Sequence, residues 1–302
     1  MFTGLSAFPL TPMTETGIDE PAFIRLVARL AASGVDSIGA LGSTGSYAYL
    51  TRAERLRATQ LAVAHAGDVP VMVGIGALRT RDVLLLAEDA QNAGVGAVLL
   101  APVSYQKLTA DEVFSHFETV TRNLSVPLCV YDNPTTTHFE FSDELHGRIA
   151  QLPNVASIKI PGVPADPVAA AQRVARLRAL IPAHVTIGVS GDAFGATGMN
   201  AGCDAWYSVI AGLFPSEILA ITRAAQAGDA QQATDLSERL RPIWTLFGRY
   251  GGQRVIAAAA ELMGLADAPC LLLPVKALSG ADRDQLEQLL KQLIYLCETD
   301  KR

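Results

Sequence analysis

The stretch Asn154–Val163, "NVASIKIPGV", sets a lysine between two isoleucines inside an apolar run. Lys159 is one of five lysines in the chain, with Lys107, Lys276, Lys291 and Lys301. Lysine is among the side chains least often buried, because its ammonium gives up hydration on leaving water. Alternation along "VASIKI" puts Ser157, Lys159 and Pro161 on one face, and Ile158 with Ile160 on the other. The two isoleucines suit a layer of covering helices, so the lysine faces the opposite side of the sheet.

Short apolar runs of the same kind extend outward in both directions. They are "GLSAF" (4–8), "SIGALG" (37–42), "VPVMVGIG" (69–76), "AVLLAP" (97–102), "VPLCVYD" (126–132), "VTIGVSG" (185–191) and "AWYSVI" (205–210). Amphipathic stretches at 19–33, 51–65, 79–93 and 109–123 separate the earlier ones, with Asp19 and Thr51 placed as N-caps. Strands at roughly 30-residue intervals with helices between them imply right-handed crossovers and a parallel sheet. Strands apolar on both faces fit a sheet covered on both sides. Eight such units predict an α/β fold, a (β/α)8 TIM barrel over 1–225 that carries the active site. An open doubly wound sheet is the competing architecture, but no GxGxxG follows the first strand.

Beyond Phe214 the strand pattern stops. Residues 217–247 read as a helix–turn–helix around Gly228 and Asp229, and 250–264 and 280–297 read as further helices. Ser279 caps the last one, with Leu286, Leu289, Leu290 and Leu293 at helical spacing. Residues 226–302 are therefore expected to form a C-terminal helical appendage, its apolar face packed on the barrel or on another subunit.

Half of the residues are hydrophobic and the formal net charge is −6. An acidic chain without a lysine/arginine run lacks the basic footprint that nucleic acid requires. The opening "MFTGLSAFPLTP" carries neither a basic n-region nor a long apolar core, and no run is long enough to span a bilayer, so neither a secretory signal nor a membrane partner is expected. The four cysteines, Cys129, Cys203, Cys270 and Cys297, are far apart and form no CxxC pair. Reduced thiols and a cytoplasmic location follow.

In a closed barrel Lys159 sits near the C-terminal end of strand six, the end at which barrel enzymes keep their chemistry. The alternative is a lysine that snorkels to solvent or pairs with a carboxylate. A partly desolvated lysine has a lowered pKa, and its neutral amine can form a Schiff base with a ketone. Two other strand ends offer suitable neighbours. "LGSTG" (41–45) follows strand two, where Gly42 and Gly45 allow close backbone approach and Ser43 and Thr44 offer hydroxyls for a small anion. At the end of strand five, "VYDNPTTT" places Tyr131 before a proline-fixed loop, and its phenol can carry a proton.

"GSTG", "YDNP" and "SIKIPG" in this order resemble the dihydrodipicolinate synthase/N-acetylneuraminate lyase family of pyruvate-dependent class I aldolases. The interval from Tyr131 to Lys159, 28 residues (159 − 131), is the family's usual spacing. The resemblance implies Lys159 as the Schiff-base lysine and Tyr131 as the proton-relay phenol. It implies Ser43 and Thr44 as the hydroxyls at the pyruvate carboxylate, with Ser43 also in the relay. Tyr105, in "APVSYQKLT", resembles a second tyrosine that many members supply to a neighbouring subunit, one residue further from Pro102 than usual. Gly191 and Asp192, with Tyr207 and Ser208, resemble pocket-lining positions on strands seven and eight.

The chain departs from the family at Ser46, where a glutamate is usual, and at Thr136, where the dihydrodipicolinate-forming members carry an arginine. It departs again at Tyr207, usually small or aliphatic. The resemblance thus implies a lyase that makes or cleaves a C–C bond between pyruvate and an aldehyde, through a covalent imine and with no metal or other cofactor. It implies a homo-oligomer, a dimer or a tetramer built as a dimer of dimers. Three alternatives stay open: formation of 4-hydroxy-tetrahydrodipicolinate itself, dehydration of a 2-keto-3-deoxy acid by the same lysine, and a catalytically retired keto-acid binder. A metal-dependent enzyme would need clustered ligands, and His65, His116, His138, His146 and His184 are scattered over helices and loops. "GVSGD" lacks the second glycine of a GxSxG serine hydrolase.

Overall fold

The computed structural model describes residues 1–299, with side chains through residue 292. Leu293 and Cys297 therefore lie outside the described side chains, and Lys301 outside the described residues. Eight parallel strands close into a barrel: β1 (Gly4–Ala7), β2 (Ser37–Ala40), β3 (Val71–Gly74), β4 (Ala97–Leu100), β5 (Leu128–Tyr131), β6 (Val155–Ile160), β7 (Thr186–Val189) and β8 (Ala205–Ser208). Neighbours follow chain order, and β8 pairs with β1 to complete the ring. Each strand lies within its apolar run, and the helices fall between them as the periodicity predicts. A short antiparallel hairpin, Met13–Thr14 with Gly17–Ile18, was not anticipated; two-residue strands leave no periodicity to read.

Local chemistry sets the helix starts. Asp19 accepts a hydrogen bond from the Ala22 amide at 3.0 Å, opening the helix Glu20–Ser33. Thr51 and Glu54 form a reciprocal capping box on Arg52–His65, and Thr109 with Glu112 repeats it on Ala110–Thr121.

Two apolar cores follow from the alternation of the strands. The larger lies between barrel and helices and takes in Ile158, Ile160, Ile187 and Val189. The smaller fills the barrel itself, with Phe8, Met72, Leu99, Cys129, Tyr131 and Tyr207. Between β5 and β6 the register slips: Leu128 pairs with Val155, but Cys129 pairs with Ser157. The extra residue, Ala156, is a β-bulge, and it explains why Val155 joins the outer core although strict alternation from Lys159 would turn it inward.

The C-terminal region is helical, as expected, with one further break. Helix Ala230–Arg239 ends at Leu240, and a new one runs over Arg241–Tyr250 because Pro242 has no amide to continue the first. Helices Gly252–Leu262 and Gly280–Thr299 complete it. Leu286 and Leu290 are buried in the same core as the barrel's outer face, so this part of the apolar stripe packs within the chain.

Candidate active site

Past the bulge Lys159 lies directly beside Tyr131, its register partner on β5. Lys159 points into the barrel and is only 3 % exposed. Its Nζ lies over three aromatic rings, 3.9 Å from the centroid of Phe8, 4.2 Å from Tyr131 and 5.7 Å from Tyr207. No ion pair holds it among the described residues. Burial therefore pulls its pKa down to about 8, against smaller opposing pulls from Cys129 and Asp192. An amine in this setting is available as a neutral nucleophile near physiological pH.

The phenol of Tyr131 points at the loop after β2. Its hydroxyl is 3.3 Å from the Ser43 Oγ and accepts from the Asn133 Nδ2 at 2.9 Å. Asn133 also donates to the Ser43 Oγ at 3.3 Å, which closes a three-membered polar ring. Burial raises the Tyr131 pKa, and the bonds from Ser43 and Asn133 only moderate that, so the phenol holds its proton.

The loop itself is tightly folded. Leu41 and Ser46 take left-handed conformations at φ 54° and 59°, and a side chain at Gly45 would meet the Leu41 amide at 2.9 Å. Thr44 is almost fully buried. Ser46, at the family's glutamate position, accepts from Gln253 Nε2 at 2.8 Å, tying the loop to the C-terminal helices.

Asp192 and Ser208 meet behind the lysine. The Asp192 carboxylate accepts from Ser208 Oγ at 2.7 Å and from the amides of Val209 and Ile210. Burial raises its pKa, and those bonds, with the Lys159 charge, oppose the rise. Gly191 turns the chain there at φ 76°. Tyr207 fills the barrel beneath the amine. Its hydroxyl is 2.6 Å from Ser157 Oγ and 3.6 Å from Cys129 Sγ, one layer nearer the N-terminal ends of the strands than Lys159. Tyr207 thus forms the floor of the site, with its hydroxyl turned away from the mouth.

Lys159, Tyr131, Ser43, Thr44, Gly42 and Gly45 are brought together as the sequence predicts, and Gly191, Tyr207 and Ser208 border them. Two residues stand apart within this chain. Tyr105 is 91 % exposed on the loop after β4, and Thr136 is exposed on the short helix Pro134–Thr137, its hydroxyl donating to the Asn133 carbonyl. Phe8 and Asn133 belong to the site but had no role from sequence. Asn133 lay in the "YDNP" motif, and Phe8 was legible only as the end of the first strand.

No group of three or more His, Cys, Asp or Glu side chains among the described residues is placed to hold a metal. A cleft of about 680 Å³ runs between the hairpin and residues 267–279, and none of its lining residues belongs to the lysine site.

Comparisons with known proteins agree with this geometry. A sequence model described as the dihydrodipicolinate synthetase family matches residues 1–293. The crystal structure of a dihydrodipicolinate synthase from Agrobacterium tumefaciens superposes with a TM-score of 0.92 at 48 % identity, covering 97 % of this chain and 98 % of that one. The chloride-inhibited dihydrodipicolinate synthase from Acinetobacter baumannii, complexed with pyruvate, superposes at 0.87 with 26 % identity over 96 % of this chain and 98 % of that one. The curated 4-hydroxy-tetrahydrodipicolinate synthase of Parvibaculum lavamentivorans is 30 % identical over 93 % of this chain and 94 % of its own length. A lysine buried in a closed eight-stranded barrel, flanked by its phenol and its serine–threonine loop, accompanies a match along nearly the whole sequence: the chain belongs to the dihydrodipicolinate synthetase family.

Proposed function

We propose that the protein is a class I lyase that binds pyruvate as a Schiff base on Lys159 and makes or cleaves a C–C bond between it and an aldehyde. The observation that carries this reading is the amine itself: buried in the barrel, without an ion-pair partner among the described residues, its pKa drawn down to about 8 beside a protonated phenol. The pyruvate complex of the Acinetobacter relative supports the choice of keto acid.

In this reading the carboxylate of the keto acid rests on the loop of Gly42, Ser43, Thr44 and Gly45. Neutral Lys159 attacks the ketone, and the carbinolamine loses water. Tyr131 passes the protons, held in line by Ser43 and Asn133. The iminium acts as an electron sink, so C3 of the keto acid loses a proton, and the enamine adds to the aldehyde. The reverse sequence cleaves a 2-keto-4-hydroxy acid or a keto-sugar acid. The covalent imine supplies the electron sink, so these steps call for no further cofactor.

Thr136 offers no guanidinium at the family's arginine position, which favours an acceptor that is not held there by a carboxylate. The names of the curated relatives favour a second reading, synthesis of 4-hydroxy-tetrahydrodipicolinate. Exposed Tyr105 fits a homo-oligomer, a dimer or a tetramer built as a dimer of dimers, in which it enters the relay of a neighbouring subunit. Cys129, Cys203 and Cys270, each free and buried, fit a reducing, cytoplasmic setting.

Borohydride reduction in the presence of pyruvate, read by intact mass and peptide mapping, tests the central step. An adduct on Lys159 supports it, and a protein that stays unmodified overturns it. Turnover with aldehydes bearing and lacking a carboxylate then separates the two substrate readings.

A further inference from the structure

Phe8 lies at the centre of the site, yet neither the proton relay nor the carboxylate loop uses it. Its ring is 2 % exposed, and the Lys159 Nζ stands over its face at 3.9 Å, nearer than over Tyr131 or Tyr207. The ring is held from several sides. A Cβ at Gly39 would come within 2.4 Å of it and one at Gly42 within 2.7 Å, so two positions give up their side chains to make its place. Tyr207 meets it edge to face, with centroids 6.0 Å apart and an interplanar angle of 88°. The barrel thus builds a fixed π-face under the one nitrogen that changes charge state.

We propose that Phe8 is a catalytic residue of this reaction: its ring face seats the positive charge of the iminium and so favours the covalent intermediate. The inference rests on the Schiff-base reading above. Amine, ketone and one proton give the iminium and one water, and the C=N bond that forms leaves a positive nitrogen where a neutral one stood. A cation over an aromatic face is attracted by the ring quadrupole, most strongly where water is excluded. A ring already in position needs no rearrangement as the charge appears.

The same face also stabilises the ammonium of the free enzyme, which gives the inference a particular pH signature. Where Lys159 is already protonated, both sides of the equilibrium carry a seated cation, and losing the ring cancels out. Where Lys159 is neutral, only the iminium is seated, and losing the ring weakens imine formation. The other titratable groups facing the amine are Tyr131, Tyr207, Cys129 and Asp192, and burial raises the pKa of each.

The test compares wild type with Phe8→Leu by the pyruvate concentration needed for half-maximal borohydride trapping, at about pH 6.5 and about pH 9.5. The expected result is a loss of about tenfold in apparent affinity at the higher pH and less than about twofold at the lower. Fluorinated phenylalanines at position 8, which keep the shape and drain the ring face, should give a loss graded with fluorine number at the higher pH. They decide the matter alone if Phe8→Leu melts below the assay temperature. Unchanged affinity at both pH values, or an equal loss at both, overturns the inference while the Lys159 adduct stands. Absence of any wild-type adduct overturns the Schiff-base reading and this inference with it.

Discussion

Lys159 and Tyr131 are register partners, yet the amine meets the phenol ring over its face, 4.2 Å from the centroid, and leaves the hydroxyl to Ser43 and Asn133. The nucleophile and the proton carrier are therefore adjacent without being bonded. In the proposed chemistry a substrate oxygen links them, because the carbinolamine hydroxyl occupies the space between.

Replacing Tyr131 by phenylalanine keeps the ring under the amine and removes only the hydroxyl. Steady-state kinetics should show kcat reduced by about a hundredfold or more, the usual range for losing a positioned proton carrier. The concentration of pyruvate needed for half-saturation should change little. A variant that retains most of its turnover would remove Tyr131 from the relay.

Lysine at position 159 is costly for the fold. Burial lowers its pKa from 10.5 to about 8, so the unfolded chain holds this proton more tightly than the folded one. The cost is full below pH 8 and fades as pH rises from 8 to 10.5. Lys159→Met should therefore abolish turnover, preserve the circular dichroism spectrum and gain up to about 3 kcal/mol of stability at neutral pH. Thermal melts at increasing pH should show that gain shrinking above pH 8.

Asp132, between Tyr131 and Asn133, titrates in the opposite sense. It lies 3.5 Å from His146 Nε2, but burial holds His146 neutral down to about 3, so the contact is not an ion pair near neutrality. Burial raises the Asp132 carboxyl from 3.8 to about 7, with Arg173 opposing and Glu140 adding to the rise. The folded chain thus keeps a proton that the unfolded chain releases, and stability falls as pH climbs from 3.8 to 7. Asp132→Asn should be close to neutral at pH 4 and stabilise by about 2 kcal/mol at pH 8, read by denaturant titration.

Gly188 and Tyr207 are complementary in volume. A Cβ at 188 would sit 2.1 Å from the Tyr207 ring. Gly188→Ala should cost about 2 kcal/mol through overpacking, and adding Tyr207→Val should recover a good part of it. Strict additivity in the double-mutant cycle would show that the two residues do not share this space.

The barrel was legible because each strand announces itself by an apolar run bounded by turn residues, and because capping residues such as Asp19 and Thr51 mark helix starts. Lys159, Tyr131 and Ser43 were legible through motifs at strand ends. Phe8 was not, since nothing in "GLSAF" says that residues 39 and 42 leave room for its ring; that relation exists only once β1 and β2 lie side by side. Asn133 was hidden by its own motif, where the proline drew the reading toward backbone geometry and away from the amide. The break at Leu240 was missed although Pro242 was in plain view, because the apolar spacing on either side runs on in helical phase.

The bulge at Ala156 gives β6 one residue more than its pairing with β5 needs. Removing Ala156 would leave Val155 opposite Leu128 and Ser157 opposite Cys129 in an unbroken ladder, with the amine still beside Tyr131 and still facing the lumen. The strand therefore holds one residue of slack, so a single deletion at that position spares the chemistry. What must be kept is the spacing from Ser157 to Lys159, because a slip of one residue there, left without a compensating bulge, would turn the amine toward the helices.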